Sequence, residues 1–299
     1  MGVVPAAPAL TKLGERWTRR PPAVRALAVL RVALGYAGLL ALSAIFVVPF
    51  LWMVASSLKA EGDVFLFPPT LVSDPIQWQN YPAVFAAMPF GIFALNSFKI
   101  SILSTVGTVL TASLAAYAFA RLHFPGRNAL FLILLATMMI PDQVTLIPQF
   151  IVMRFIGWTD SHNALIVPRF MGSAFGTFLL RQFFLTIPDE LEDAALVDGA
   201  GRLAIYWQIF LPLAKPALAT LAVFTFMGAW NDLTGPIIYL SSKNQMTLTV
   251  GLTMFRGVHQ THWHWLMAGT VITIMPILVI YAAAQKYFVQ GITMTGLKG

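Results

Sequence analysis

Long apolar runs separated by short polar stretches dominate the chain. A helix needs about 20 mostly apolar residues to cross the hydrocarbon core of a bilayer. Six runs reach that length, at 29–53, 92–118, 129–151, 164–185, 216–240 and 265–287. Pro141, Pro148, Pro168, Pro236 and Pro276 fall inside or beside these runs. Such breakers are tolerated in membrane helices because neighbouring elements satisfy the freed backbone groups. The pattern predicts an all-α membrane protein of six transmembrane helices.

Lys and Arg set the expected direction. Thirteen lie on one side: Lys12, Arg16, Arg19, Arg20, Arg25 and Arg31 before or at the start of the first run, Arg121 and Arg127 after the second, Arg181, Arg202 and Lys215 around the fourth connection, and Lys286 and Lys298 at the end. Four lie on the other side, namely Lys59, Arg154, Lys243 and Arg256. Lys99 and Arg169 fall within runs near the outer interface, where long side chains snorkel. Cytoplasmic loops carry the excess of positive charge, so both termini are expected in the cytoplasm.

Composition agrees. Of 299 residues, 58% are hydrophobic and only 10% charged, against about 25% charged in soluble domains. That composition argues against a water-soluble enzyme of this size. The net charge of +7 fits membrane-facing loops in so apolar a chain, and no nucleic-acid partner is expected. Cysteine is absent, which removes disulfides and thiolate metal sites. The five His residues, including the cluster His259, His262 and His264, lack the carboxylate or thiolate partners of a metal centre, so no metal is expected. No GxxxxGK[ST] loop is present, and the chain has no nucleotide site of its own by that criterion. Residues 1–28 read as a basic N-terminal segment; Arg19-Arg20 hints at a twin-arginine signal. The apolar run behind them is too long for a signal h-region, and 29–91 is read as a retained first span with an outer loop. Pro68, Pro69, Pro75, Pro82 and Pro89 with Trp78, Tyr81 and Phe85 make that loop a short cap with aromatic anchors. A core at 92–287 and a tail at 288–299 complete the organisation.

The connection at 186–212 is too patterned for a simple linker. Thr186 followed by Asp189 is a helix start signal, and Pro188 suits a first turn. Asp189, Glu190, Glu192 and Asp193 crowd that turn, where the helix dipole favours negative charge. Asp198-Gly199 marks a stop, with glycine free to take positive φ. A second helix follows, with Leu203, Tyr206, Trp207 and Phe210 expected on one face. Short helices are marginal alone in water. Either the hairpin folds back on the bundle or lipid surface, or a partner covers it. Its five acids against Arg202 favour a protein partner over a lipid surface.

These residues carry a family resemblance. Glu192-Asp193-Ala194-Ala195-Leu196-Val197-Asp198-Gly199-Ala200, followed by Ile209-Phe210-Leu211-Pro212, resembles the EAA loop of ABC importer permeases. That pattern reads E-A-A-x-x-D-G-A and then an apolar run ending in L-P. The family's first Glu falls on Asp193, with Glu192 beside it. Phe119-Ala120-Arg121-Leu122-His123-Phe124-Pro125-Gly126-Arg127 is similar to the A-R-x-x-F-P-G loop of the carbohydrate-importing branch, in its maltose-permease-G-like half. Arg181-Gln182-Phe183-Phe184, Ala229-Trp230-Asn231-Asp232 and the ending Gln290 to Gly299 fit the same branch, with Thr295 and Gly296 departing from its usual ending. The likeness runs from about Val47 onward.

The resemblance implies the type I ABC importer permease fold and a non-catalytic, multi-pass subunit of a bacterial or archaeal cytoplasmic membrane. It implies a second, different permease, two cytoplasmic ATPase subunits holding ATP and Mg, and an extracytoplasmic binding protein delivering a sugar. No cofactor is expected on this chain. Coupling to the ATPase is implied for Glu192, Asp193, Ala194, Ala195, Asp198, Gly199, Ala200 and Arg202, and tail contacts for Thr293, Lys298 and Gly299. Polar residues within spans are functional candidates. Trp230, Asn231 and Asp232 therefore stand either on a substrate path or in interhelical hydrogen bonds. Competing readings are a self-sufficient secondary transporter or channel, a membrane adaptor, and import of a non-sugar solute such as a glycerophosphodiester or polyol.

Overall fold

The computed structural model describes residues 22–71, 73–257 and 261–296; the side chains of 22, 25, 28 and 286–296 fall outside the description. The chain divides into two compact units, residues 1–55 and 56–299. Helix α1 (Pro22–Ser57) carries the described part of the first. Its apolar stretch from Val29 to Ser57 is long enough to cross a membrane.

In the second unit, a 3₁₀ turn (Glu61–Asp63) and α2 (Asn80–Ala87) form the cap after α1. Asn80 ties it down by donating to the carbonyls of Ser57 and Lys59 at 2.9 and 2.8 Å. The chain then enters α3 (Phe90–Arg121), 32 residues and about 48 Å long at 1.5 Å per residue. Ser97, Ser101, Ser104, Thr108, Ala112, Ser113 and Ala116 are buried along it. Small residues at this spacing let helices approach closely in a membrane. Gly107 shows how closely, since a Cβ there would stand 2.4 Å from the Phe170 ring.

Helices α4 (Arg127–Thr137), α5 (Asp142–Phe155), α6 (Asn163–Phe170), α7 (Ala174–Phe184), α8 (Asp189–Val197) and α9 (Arg202–Leu213) follow. After them come α10 (Lys215–Trp230), α11 (Thr234–Tyr239), α12 (Leu248–Thr253) and α13 (Trp263–Gly296). Among the described residues every regular element is helical, and extended backbone pairs only in an isolated bridge between Arg256 and Thr261. Four helices can span a membrane by length and composition, or up to six if each of two bent pairs is one span.

Two of the apolar runs are interrupted where the sequence suggested continuous spans, and a third, Asn163–Phe184, breaks locally yet stays long and apolar enough to cross a membrane as one span. The run at 129–151 bends by 97° between α4 and α5. Pro141 disfavours helical backbone at the residue before it and supplies no N–H. The fourth run breaks between α6 and α7, where Gly172 has φ +127° and Ser173 Oγ accepts the Gly176 N–H at 3.0 Å. The fifth stops at Trp230 rather than running to 240. Pro236 cannot donate to the Asp232 carbonyl four residues back; that carbonyl instead accepts from Thr249 Oγ1 at 2.7 Å.

Two apolar clusters hold the second unit. One, at the start of α3, contains Val84, Phe90, Phe93, Phe226, Trp230, Leu248, Phe255 and Ala268. The other, at its end, contains Ala112, Ala116, Tyr117, Leu180, Phe184, Ile205, Tyr206 and Phe210. Trp230 meets Phe98 edge-on at 4.7 Å, while Leu221 joins Ala112 in the second cluster. Thus α10 runs antiparallel to α3.

Candidate functional site: a braced helical hairpin

The hairpin is α8, a tight turn and α9. α8 ends in a Schellman arrangement: the Ala200 N–H donates to the Ala195 carbonyl at 2.9 Å and the Gly199 N–H to the Leu196 carbonyl at 3.0 Å. This geometry wants a left-handed residue between helix and exit, and Gly199 has φ +83°. A Cβ at Gly199 would meet nothing within 4 Å, so the demand for glycine there comes from backbone conformation, not from space.

Glu192 and Asp193 part company. Glu192 is buried and Asp193 exposed. Glu192 pairs with Arg202 across the turn, and its other oxygen lies 3.9 Å from Arg121 Nε. Position 193 matches the family motif, but position 192 does the internal bracing. Asp198, Ala194 and Arg202 are also exposed, whereas Ala195 and Ala200 are half-buried against the core.

Sequence reasoning counted Arg121 among loop charges and quoted it within a motif, but missed its place here. Its guanidinium, with 6% of the side chain exposed, is the centre of the brace. It donates to the Phe184 carbonyl at 2.7 Å, to the Ile187 carbonyl and to Asp189, and sits 4.9 Å over the Phe210 ring. A planar fork with five donors suits this role where an ammonium would not. The end of α3 is thereby fastened to both the entrance and the second helix of the hairpin. Tyr206, bonded to Ser113 at 2.7 Å, adds a second fastening. The motif A-R-x-x-F-P-G was the available signal for the first; none pointed to the second.

The expected single face of the second helix divides. Tyr206 and Phe210 are fully buried, but Leu203 is 67% and Trp207 55% exposed. A π turn over Tyr206–Phe210 is the reason: the Leu211 N–H bonds five residues back, to Tyr206. The wider turn brings Ile205 and Ile209 alongside Tyr206 and Phe210 and leaves Leu203 and Trp207 outside. The hairpin thus folds back on the bundle with one side and leaves Leu191, Val197 and Leu203 exposed, while Trp207 lines an apolar groove with Val106 and Leu110 of α3 and Leu218 of α10.

The three residues considered for a substrate path separate as well. Trp230 is core: it stacks on Phe226 at 5.5 Å and donates to the Thr273 carbonyl at 3.1 Å. Asn231 ends α10 and donates to the Met227 carbonyl at 3.0 Å. Only Asp232 lines a cavity, of about 680 Å³, in company with Asp142 and Arg169. Arg169 lines that cavity as well. Of the tail residues, Lys298, Gly299 and the side chain of Thr293 lie outside the described residues.

An all-helical chain with several membrane-length helices and a braced hairpin has the architecture of a transport permease subunit. Residues 107–294 match the family model for "Binding-protein-dependent transport system inner membrane component", and the chain belongs to that family. It is 38% identical over 247 residues to the sn-glycerol-3-phosphate transport system permease protein UgpE of Yersinia pestis, covering 80% of this chain and 87% of the relative. It is 34% identical over 269 residues to the inner membrane ABC transporter permease protein YcjP of Escherichia coli, covering 88% and 95%. The fold superposes with a TM-score of 0.75 on a chain of a bacterial ABC transporter involved in the import of the acidic polysaccharide alginate, at 25% identity, covering 90% of this chain and 99% of that one. The protein is therefore an ABC transporter permease, a multi-pass component of the cytoplasmic membrane.

Proposed function

We propose that the chain is one of two different permease subunits of an ATP-driven importer for a sugar or related polyol. An extracytoplasmic binding protein delivers the solute, and two cytoplasmic ATPases supply the work. An even number of spans keeps both termini on one side of the membrane, and the distribution of Lys and Arg supports the cytoplasmic side. The hairpin is the point of coupling. The observation that carries this reading is its two-sided construction: Arg121, Glu192, Tyr206 and Phe210 fix it to α3, while Leu191, Val197 and Leu203 stay exposed. Rigid attachment on one side and an apolar contact on the other are what force transmission requires. Glu192 and Arg202 hold the hairpin's shape; Asp193, Ala194, Asp198, Gly199 and Ala200 form its outer end, where the ATPase docks. ATP and Mg sit on that partner. The C-terminal tail with Thr293, Lys298 and Gly299 makes a second contact there.

A second reading of the solute, an anionic glycerol phosphate or phosphodiester, draws support from relatives named for sn-glycerol-3-phosphate. Uptake by proteoliposomes holding the full assembly tests the proposal. ATP inside and the binding protein outside should both be required; uptake driven by an ion gradient alone would point to a secondary carrier.

A further inference from the structure

Three helix breaks meet at one cavity. Asp142 and Gln143 follow the α4–α5 bend, Gly172 lies in the α6–α7 break, and Asp232, Thr234 and Gly235 surround the α10–α11 break; all line the cavity of about 680 Å³. Broken backbone at membrane depth survives only where protein buries it or a water-filled cavity faces it. In transporters such interruptions gather at the solute site. Arg169 reaches the same cavity from α6 and, with Gly172 and Gly228, also lines a second void of about 320 Å³ beside Thr108 and Ser173. The polar lining thus continues past Arg169. Ion pairs among the described residues are Arg121 with Asp189 and Glu192, Arg202 with Glu192, and His262 with Glu61. Arg169 takes part in none of them, and charged residues inside membrane segments mark function by default.

The charge balance selects the ligand. Two carboxylates, Asp142 and Asp232, face one guanidinium. One Asp232 oxygen is committed to the Gly235 N–H at 3.0 Å, which leaves the other to accept. Gln149 donates to Thr145 at 3.1 Å and keeps its carbonyl; Gln143 offers both amide functions. Hydroxyl groups, which donate and accept at once, match this mixture. A phosphate or carboxylate meets two like charges against one opposite, and like-charge juxtaposition is how sites reject ligands.

We infer that this subunit contacts the transported solute directly in this cavity, and that the solute is an uncharged polyhydroxyl molecule, a neutral sugar or polyol. The inference rests on the importer reading above and narrows its substrate class.

The test uses the whole importer in nanodiscs, without its binding protein, and saturation-transfer NMR, which detects weak binding. The probes are maltose and xylitol as neutral solutes, and glucuronate and sn-glycerol 3-phosphate as anions. Saturation transfer should reach maltose or xylitol and not the anions. Asp142→Asn and Arg169→Gln should each weaken it about tenfold, the effect of one lost hydrogen bond to a charged group. Gln143→Ala should weaken it too, and provides the readout if a charge variant does not assemble. Transfer favouring an anion, indifference to all three substitutions, or no transfer to either neutral probe would overturn the assignment. The composition of the same preparation separates this failure from a deeper one: absence of an ATPase and a second permease counts against the importer reading itself.

Discussion

Ser113 and Tyr206, 93 positions apart, share a buried hydrogen bond of 2.7 Å that fastens the second helix of the hairpin to α3. Tyr206→Phe keeps the ring and its packing on Tyr117 but removes the hydroxyl. We expect a loss of about 1 kcal/mol. Ser113→Ala should cost a similar amount and the double variant scarcely more, because the two act as one interaction. Thermal unfolding of the reconstituted complex measures this.

Arg121 should be far less tolerant. Removing it strips donors from two carbonyls and leaves buried Glu192 with Arg202 alone. Breaking a buried charge network costs about 3 kcal/mol. Arg121→Lys keeps the charge but not the fork, and should recover only part of that loss. Binding of the ATPase subunits, read by the protein recovered in a complex, should fall in parallel.

Gly199→Ala should cost about 1–2 kcal/mol, the price of a left-handed conformation for a residue with a Cβ. Asn, which tolerates that region better, should restore most of it. Solute uptake by both variants, measured at equal membrane insertion, checks the ranking Gly, then Asn, then Ala.

Acid should loosen the turn that joins 158–162 to 239–245. The Asp160 carboxylate accepts from the Ser242 hydroxyl and from the Ser242 and Ser241 N–H groups at 2.8 and 2.9 Å. These bonds hold its pKa below the ordinary carboxylate value, the Ser242 hydroxyl most of all. Burial lowers the pKa of His162, whose Nε2 donates to the Gln245 carbonyl at 2.8 Å. Both folded values lie below the unfolded ones, so each contribution is complete above the unfolded pKa and falls away as pH drops through the folded one. For His162 the loss begins below its ordinary value of 6.5, and Asp160 adds its own below the ordinary 3.8. The protection of the 239–245 amides against hydrogen exchange, taken relative to the intrinsic rate at each pH, should fall on acidification in that order, and Asp160→Asn should remove the lower step.

Much of this was legible in the sequence, for reasons that differ between elements. Apolar run length located the membrane helices because backbone satisfaction in lipid leaves few alternatives. The Asp198-Gly199 stop was readable because only a few residue types accept positive φ. The interruptions at Pro141, Gly172 and Pro236 were visible as residues, yet composition alone does not say whether a breaker kinks a helix or ends it. Leu203 and Trp207 were misplaced because a π turn changes the periodicity that assigns faces, and no sequence signal announced it. Trp230 was grouped with Asn231 and Asp232 by adjacency. Rotation along the helix end sends the indole into the core, and Asp232 into the cavity.

The central claim is that the exposed side of the hairpin docks an ATPase. Its most direct test is a gentle detergent pull-down through an N-terminal tag, with wild type and Leu203→Asp compared by mass spectrometry. Wild type should bring an ATPase and a second, different permease. Leu203→Asp should retain the second permease and lose most of the ATPase. A chain recovered alone or with copies of itself, or a Leu203→Asp variant that keeps its ATPase in full, would contradict the account.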